Sequence, residues 1–356
     1  YSFDTGDGKY TQFESSLSNK FDNTIIKNNG GVSYRLMKDR DNMFSIGLNL
    51  ENTKLESDRI FPVVANVNQS FFNLLPNAMW RAKFGKYSNI RLFYRGYTNT
   101  PSVTQLQDVI DPSNPLRVTS GNPLLKQATG SFVGTRYSYT NTKTNNSFFA
   151  NIFYQAVNDY VSNATYIAGA DSVLQNGIVL AKGSQLSKPV NLDGYKSFRT
   201  YLTYSTPLKF IKTTLNLNAG FNYNRLPGLI NNLETVTDNN TYSGGVVLAS
   251  NISEYIDYNV SYNVNYNKSN TTGGSVTNSS YTNQSIGAQL NLLSKNGWFL
   301  QNDVSNQICT GLTEGLNQNY VLWNAGIGKK FLKNQAGELK LTVFDLLKQN
   351  QSIDRK

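Results

Sequence analysis

From Ile256 to Asn267, apolar and amide-bearing positions alternate without a break. Ile256, Tyr258, Val260, Tyr262, Val264 and Tyr266 carry one face, and Asp257, Asn259, Ser261, Asn263, Asn265 and Asn267 the other. Successive side chains of a strand point to opposite faces, so this period of two predicts a sheet with one oily and one wet side. Leu215, Leu217, Ala219, Phe221 and Tyr223 alternate in the same way with Asn216, Asn218, Gly220, Asn222 and Asn224. Runs of this length suit tilted strands that cross a bilayer in about 9–11 residues. Strands of soluble sheets are commonly about 5–6 residues long. The pattern predicts an all-β fold: an antiparallel transmembrane β-barrel with a wet interior.

The same reading along the chain predicts roughly fifteen strands, over residues 12–26, 31–38, 43–52, 73–86, 88–98, 127–141, 146–159, 195–205, 210–225, 241–252, 255–268, 280–293, 297–310, 319–331 and 337–345. Connections alternate in length. Short ones fall at Asp39 to Asn42, Gly85 to Ser88, Asn141 to Asn146, Thr206 to Lys209, Ser253 to Glu254, Ser294 to Asn296 and Lys333 to Ala336. Long ones fall at Thr53 to Phe72, Asn99 to Lys126, Asp159 to Gly194, Leu226 to Asn240, Ser269 to Ser279 and Leu312 to Gln318. Short turns on one rim and long loops on the other are the habit of outer-membrane barrels.

In hydrocarbon an unpaired backbone amide costs several kcal/mol, so such a sheet must close and turn apolar side chains to lipid. Phe148, Ala150, Ile152, Tyr154 and Ala156 fit that face, as do Ile286, Ala288, Leu290 and Leu292, and Leu339, Leu341 and Val343. Trp80, Tyr97, Tyr201, Tyr204, Tyr255, Trp298, Tyr320 and Trp323 are expected near strand ends as interfacial girdles.

Composition sharpens this picture. Of 356 residues, 39% are hydrophobic and 16% charged, against roughly 25% charged in soluble domains. No run approaches the roughly 18 apolar residues of a spanning helix, and the mean hydropathy is −0.42; a barrel strand spends half its residues on the lumen. The net charge of +10 is spread along the chain, much of it at predicted turns: Lys38, Arg40, Lys83, Lys86, Lys143, Lys209, Lys295 and Lys333. There it either solvates the turns or meets acidic lipid head groups. No clustered basic patch points to nucleic acid.

The chain has no histidine and one cysteine, Cys309. Ser-His-Asp and Cys-His catalysis and histidine zinc sites are thereby excluded within this chain, and Cys309 reads as a small packing residue. Asp108 and Asp111, beside Pro112 and Pro115, form the most suggestive carboxylate pair and read as turn formers. Asp238-Asn-Asn240 offers oxygens without the spacing of a calcium loop. No catalytic, cofactor or metal site is expected, and the chain does not read as an enzyme.

Tyr97-Thr-Asn-Thr-Pro-Ser-Val-Thr-Gln-Leu106 followed by Gly121-Asn-Pro-Leu-Leu-Lys126 resembles a loop of TonB-dependent receptors. Lys188-Pro-Val-Asn-Leu-Asp-Gly-Tyr195, Pro227-Gly-Leu-Ile-Asn-Asn232, Gly315-Leu-Asn-Gln-Asn-Tyr320 and Leu339-Lys-Leu-Thr-Val-Phe-Asp-Leu-Leu347 resemble the outer-membrane β-barrel family of Bacteroidetes, whose members are TonB-dependent-receptor-like. The family's usual Glu after Gly-Asn-Pro-x-Leu-Lys-Pro is missing, Gln127 following Lys126 directly. The resemblance implies that residues 1–356 form one barrel domain within a protein of about 22 strands, here without the N-terminal plug and the last strand or strands. It implies a place in the outer membrane of a Gram-negative bacterium, against lipid and lipopolysaccharide, and uptake of an oligosaccharide, peptide or metal chelate. Its partners would be a TonB-type energy-transducing protein acting through the plug, and a surface lipoprotein. The alternative is a barrel that transports nothing and serves as adhesin, assembly or secretion partner. Ligand contacts are expected on Asn99 to Lys126 and Asp159 to Gly194, with Gln105, Asp108, Asp111 and Arg117 as the binding candidates.

Overall fold

A computed structural model describes residues 2–4, 9–12, 20–61, 65–174, 177–250, 252–253, 255–273, 278–312, 316–332 and 336–349. Fourteen strands form one antiparallel meander. They are β1 (Lys20–Met37), β2 (Met43–Phe61), β3 (Ala65–Phe84), β4 (Ser88–Asn99), β5 (Ala128–Asn141), β6 (Asn146–Asn158) and β7 (Tyr195–Leu208). Then come β8 (Thr213–Ile230), β9 (Leu233–Ser250), β10 (Ile256–Thr272), β11 (Ser279–Leu293), β12 (Trp298–Thr310), β13 (Gln318–Phe331) and β14 (Gly337–Val343). The strand order is that of a barrel. Residue-by-residue pairing runs from β1 to β14, and none is described between those two strands.

Register converts the alternation into two continuous surfaces. One row joins Leu36, Phe44, Trp80, Leu92, Thr135, Ile152, Thr200, Phe221, Tyr242 and Tyr266 across ten strands. Its members pack ring on ring, Phe221 and Tyr242 with centroids 4.9 Å apart. This face is open: Val32 is 77% exposed, Leu74 58% and Ile46 52%. So wide an apolar surface marks contact with something other than water, here the bilayer. The opposite face holds Leu55, which is buried against Leu106 and Leu125 of a long connection. That packing makes it the inside of the wall.

The structure departs from the predicted strands in length. Residues 20–26 and 31–37 belong to one strand, β1, while 13–19 lie outside the described residues. Thr53 to Phe72, expected as a long loop, is strand except for residues 62–64, which are not described. Leu226 to Asn240 is a hairpin: Ile230 pairs with Leu233, and Asn231 and Asn232 both take positive φ, 48° and 65°. Asparagine tolerates that conformation, and the two-residue turn suits the twist of paired strands. Within Ser269 to Ser279, residues 269–272 and Ser279 are strand, and 274–277 lie outside the described residues. Strands of 18–20 residues exceed the span of the hydrocarbon. Beyond it both faces are wet, so the oily alternation fades while backbone pairing continues.

The expected girdle divides by parity. Trp80, Tyr204, Trp298 and Trp323 lie in the outer rows, whereas Tyr97, Tyr201 and Tyr320 are on the inner face, opposite Gly130, Gly220 and Gln307. Being near a strand end does not decide which way an aromatic points; its odd or even place in the strand does.

Candidate lumenal site

The two longest connections, residues 100–127 and 159–194, fold into a body seated on the inner wall. It contains a one-turn helix, Val103–Leu106, and short strands Ile110–Asp111, Arg117–Ser120, Tyr160–Ile167 and Gln185–Leu192. Gln185–Leu192 pairs antiparallel with Tyr160–Ile167 and parallel with Arg117–Ser120. Tyr160–Ile167 also runs parallel to the end of β8, and the hairpin turn holds it: Ile167 N–H donates to Asn231 Oδ1 at 2.8 Å. A second apolar cluster, Val118, Ala168 and Leu180, closes the body.

Four of the six segments that carried the family resemblance meet here, those beginning at Tyr97, Gly121, Lys188 and Pro227. Asn122 Nδ2 donates to the Pro189 carbonyl at 3.0 Å, and Asn191 Oδ1 accepts from Lys126 N–H at 2.7 Å. Gly121 tolerates no larger residue, because a Cβ there would lie 2.1 Å from the Gln107 carbonyl oxygen. Gln127 is buried and donates to Thr100 Oγ1 at 3.0 Å and Thr53 Oγ1 at 3.2 Å, while Asn73 Nδ2 donates to it at 2.7 Å. Beside it Glu51, paired with Lys27 at 3.2 Å, accepts from the Thr98 hydroxyl. These contacts tie the first long connection to β1, β2, β3 and β4. Their role is architectural: a buried polar group is retained when its hydrogen bonds are met.

Of the four binding candidates, three have their polar atoms engaged within the body. Gln105 forms a reciprocal cap with Ser102, accepting from Ser102 N–H at 2.9 Å and donating its own N–H to Ser102 Oγ at 3.3 Å. Asp108 lies 3.8 Å from Lys188 Nζ. Asp111 accepts from Ser113 N–H at 3.0 Å, which holds its carboxyl below the usual carboxylate value. Arg117 is exposed, on the strand that pairs with Gln185–Leu192. Asp238, expected in a loop, stands in β9 and accepts from Tyr223 Oη at 2.6 Å. Among the described residues no cluster of three or more acidic or thiol ligands could hold a metal.

A different group faces the lumen from β4 to β7. Arg91, Arg95, Arg136 and Arg199 line a cavity of about 520 Å³ together with Phe93, Phe132 and Phe153. Arg91 and Arg136 stand directly opposite each other, Phe93 opposite Gly134, and Phe153 opposite Arg199. Gly134 makes this possible, since a Cβ there would sit 2.3 Å from the Phe93 ring; the ring lies across β5 where a side chain would stand. Phe132 and Phe153 stack at 5.8 Å. The guanidinium carbons of Arg91, Arg95 and Arg136 lie 5.5 Å, 5.8 Å and 5.7 Å from the ring centres of Phe93, Phe132 and Phe153, within cation–π range. The ion pairs among the described residues, Lys27–Glu51, Lys83–Asp41 and Lys188–Asp108, include none of the four arginines. Sequence reading placed basic residues at turns and missed this group, although Arg91-Leu-Phe-Tyr-Arg95 puts Arg91, Phe93 and Arg95 on one face.

With the barrel and its lumen described, the comparison with known proteins is direct. Residues 1–299 match the model of the outer membrane protein beta-barrel family, and the chain belongs to that family. It is a barrel of the outer membrane of a Gram-negative bacterium. No curated protein and no solved structure matches the chain.

Proposed function

We propose that this barrel is part of a TonB-dependent-receptor-like transporter that takes up an oligosaccharide, a peptide or a metal chelate. The supporting observation is the folded body of the two long connections, held to the inner wall through Gln127 and Asn231 above a polar lumen. A barrel used as a passive wall has no need of so many ties between its loops and its interior. In this reading a plug fills the lumen and a TonB-type protein acts through it, while a surface lipoprotein assists capture; lipid and lipopolysaccharide surround the wall. Of the sequence candidates, Arg117 is the first choice for an outer contact, because Gln105, Asp108 and Asp111 already have partners.

The test is uptake. A deletion strain is to be compared with wild type on defined mixtures of glycans, peptides and metal chelates, with and without a functional TonB-type protein. Loss of one solute in both mutants supports the reading. Unchanged uptake of every solute, together with a defect in adhesion, assembly or secretion, would replace it with the non-transporting alternative.

A further inference from the structure

We infer that the arginine and phenylalanine wall of β4 to β7 binds a solute that carries a carboxylate or phosphate, its apolar part lying against the phenyl rings. Among the described residues no carboxylate forms an ion pair with these arginines. Like charges directly opposite each other destabilise a sheet, yet Arg91 faces Arg136 across β4 and β5, and Arg81 faces Arg91 from β3. Arg91 Nε is buried with no hydrogen-bond partner, a state that is costly until an acceptor arrives. Stacking on a ring uses the face of a guanidinium and leaves its edge donors available for the two-pronged recognition of carboxylate or phosphate. The cavity of about 520 Å³ falls within the usual size of small-molecule sites, about 300–1,000 Å³. A neutral sugar would leave these four charges unpaired, whereas an anion satisfies them and the buried Nε together. Fixed positive charge on low-dielectric walls also concentrates anions before they bind.

The inference rests on the transport reading in treating the bound molecule as cargo; binding itself needs no energy source, so the two are tested apart. The intact receptor, purified with its plug, is titrated calorimetrically with phenyl phosphate and with neutral benzyl alcohol at low ionic strength. Saturable binding of phenyl phosphate alone is expected, weakening as salt rises. Arg136→Gln/Arg199→Gln should lower affinity at least about tenfold, as expected for lost charge-assisted hydrogen bonds, and Arg136→Lys/Arg199→Lys should fall between. Asn283→Gln, on the inner face of β11 and away from the arginines, should leave affinity unchanged. Should the double variant fail to fold, Arg199→Gln alone must still weaken binding. Absence of saturable binding, equal binding of benzyl alcohol, or indifference to the arginine variants overturns the inference. Cross-links between these arginines and carboxylates of the plug would overturn it too, since the counter-charge would then be the protein's own. Binding that persists when uptake is absent in every assay removes transport and leaves this site. Uptake that persists after the double substitution removes the site and leaves transport.

Discussion

The inner wall has two unlike arcs. From β4 to β7 it presents guanidinium groups on phenyl rings, without carboxylate partners among the described residues. From β8 to β11 the inner rows are free of arginine and rich in small and amide side chains, for example Gly220, Ser243, Asn265 and Asn283 in one register line. These neutral groups bond to one another: Asn224 Nδ2 to Asn222 Oδ1 at 3.2 Å, and Thr241 Oγ1 to Asn267 Oδ1 at 2.9 Å. One arc has hydrogen bonds between its own side chains, while in the other Arg91 Nε is buried without a partner. Both obey the same alternation, so a wet face is defined by parity, while its chemistry varies strand by strand.

The largest expected effect tests the shared outer face of the amide arc. Leu217→Arg places a charge toward lipid and should destabilise the barrel by about 2–4 kcal/mol near the bilayer midplane. Asn218→Arg, one residue on and facing the lumen, should be close to neutral. Urea unfolding in lipid vesicles separates them, and equal costs would break the assignment of faces. Next come the glycines beneath each arc. At Gly134 a Cβ meets the Phe93 ring at 2.3 Å, and that ring is packed against both Phe132 and Phe153. Gly134→Ala should therefore cost about 1–3 kcal/mol by overpacking. At Gly245 a Cβ meets Asn263 Oδ1, also at 2.3 Å, but an amide at the end of a free side chain can rotate away. Gly245→Ala should cost well under about 1 kcal/mol. The same unfolding experiment reads both, and a reversed order would mean that the ring stack is loose.

The smallest effect lies in the loop body above the arginine arc. Ser113 N–H lowers the Asp111 carboxyl pKa below its ordinary 3.8. A carboxyl whose folded pKa is depressed stabilises the fold above the unfolded value and loses that contribution as pH falls through the folded value. The turn at Ser113 should hold at neutral pH and loosen below about pH 4. Carboxyl carbon shifts in NMR should show Asp111 titrating below 3.8, and Asp111→Asn should abolish this acid-dependent change. A midpoint above 3.8 would remove the turn from the account.

Much of the wall was legible in single strands. The run from Ile256 to Asn267 is strand β10, its apolar row pairing with Leu292, Leu290, Ala288 and Ile286. The upper parts of β2, β3, β8 and β9 were not legible as strand, because water on both faces removes the hydrophobic contrast from which a strand is recognised. The motif segments were visible as likeness, but their meaning as mutual ties, such as Asn122 to Pro189, depends on contacts 67 residues apart.

Alternation is a local property: side-chain direction follows from backbone geometry, so the sequence by itself determined a wall with an oily side and a wet side. Which wet residues meet is set by register, and register belongs to the assembled sheet. Arg91 and Arg136 are neighbours because β4 pairs with β5 in one alignment; shifting a strand by a single residue would turn the arginines to lipid. The tertiary structure alone therefore brought the four guanidinium groups and three phenyl rings to one cavity.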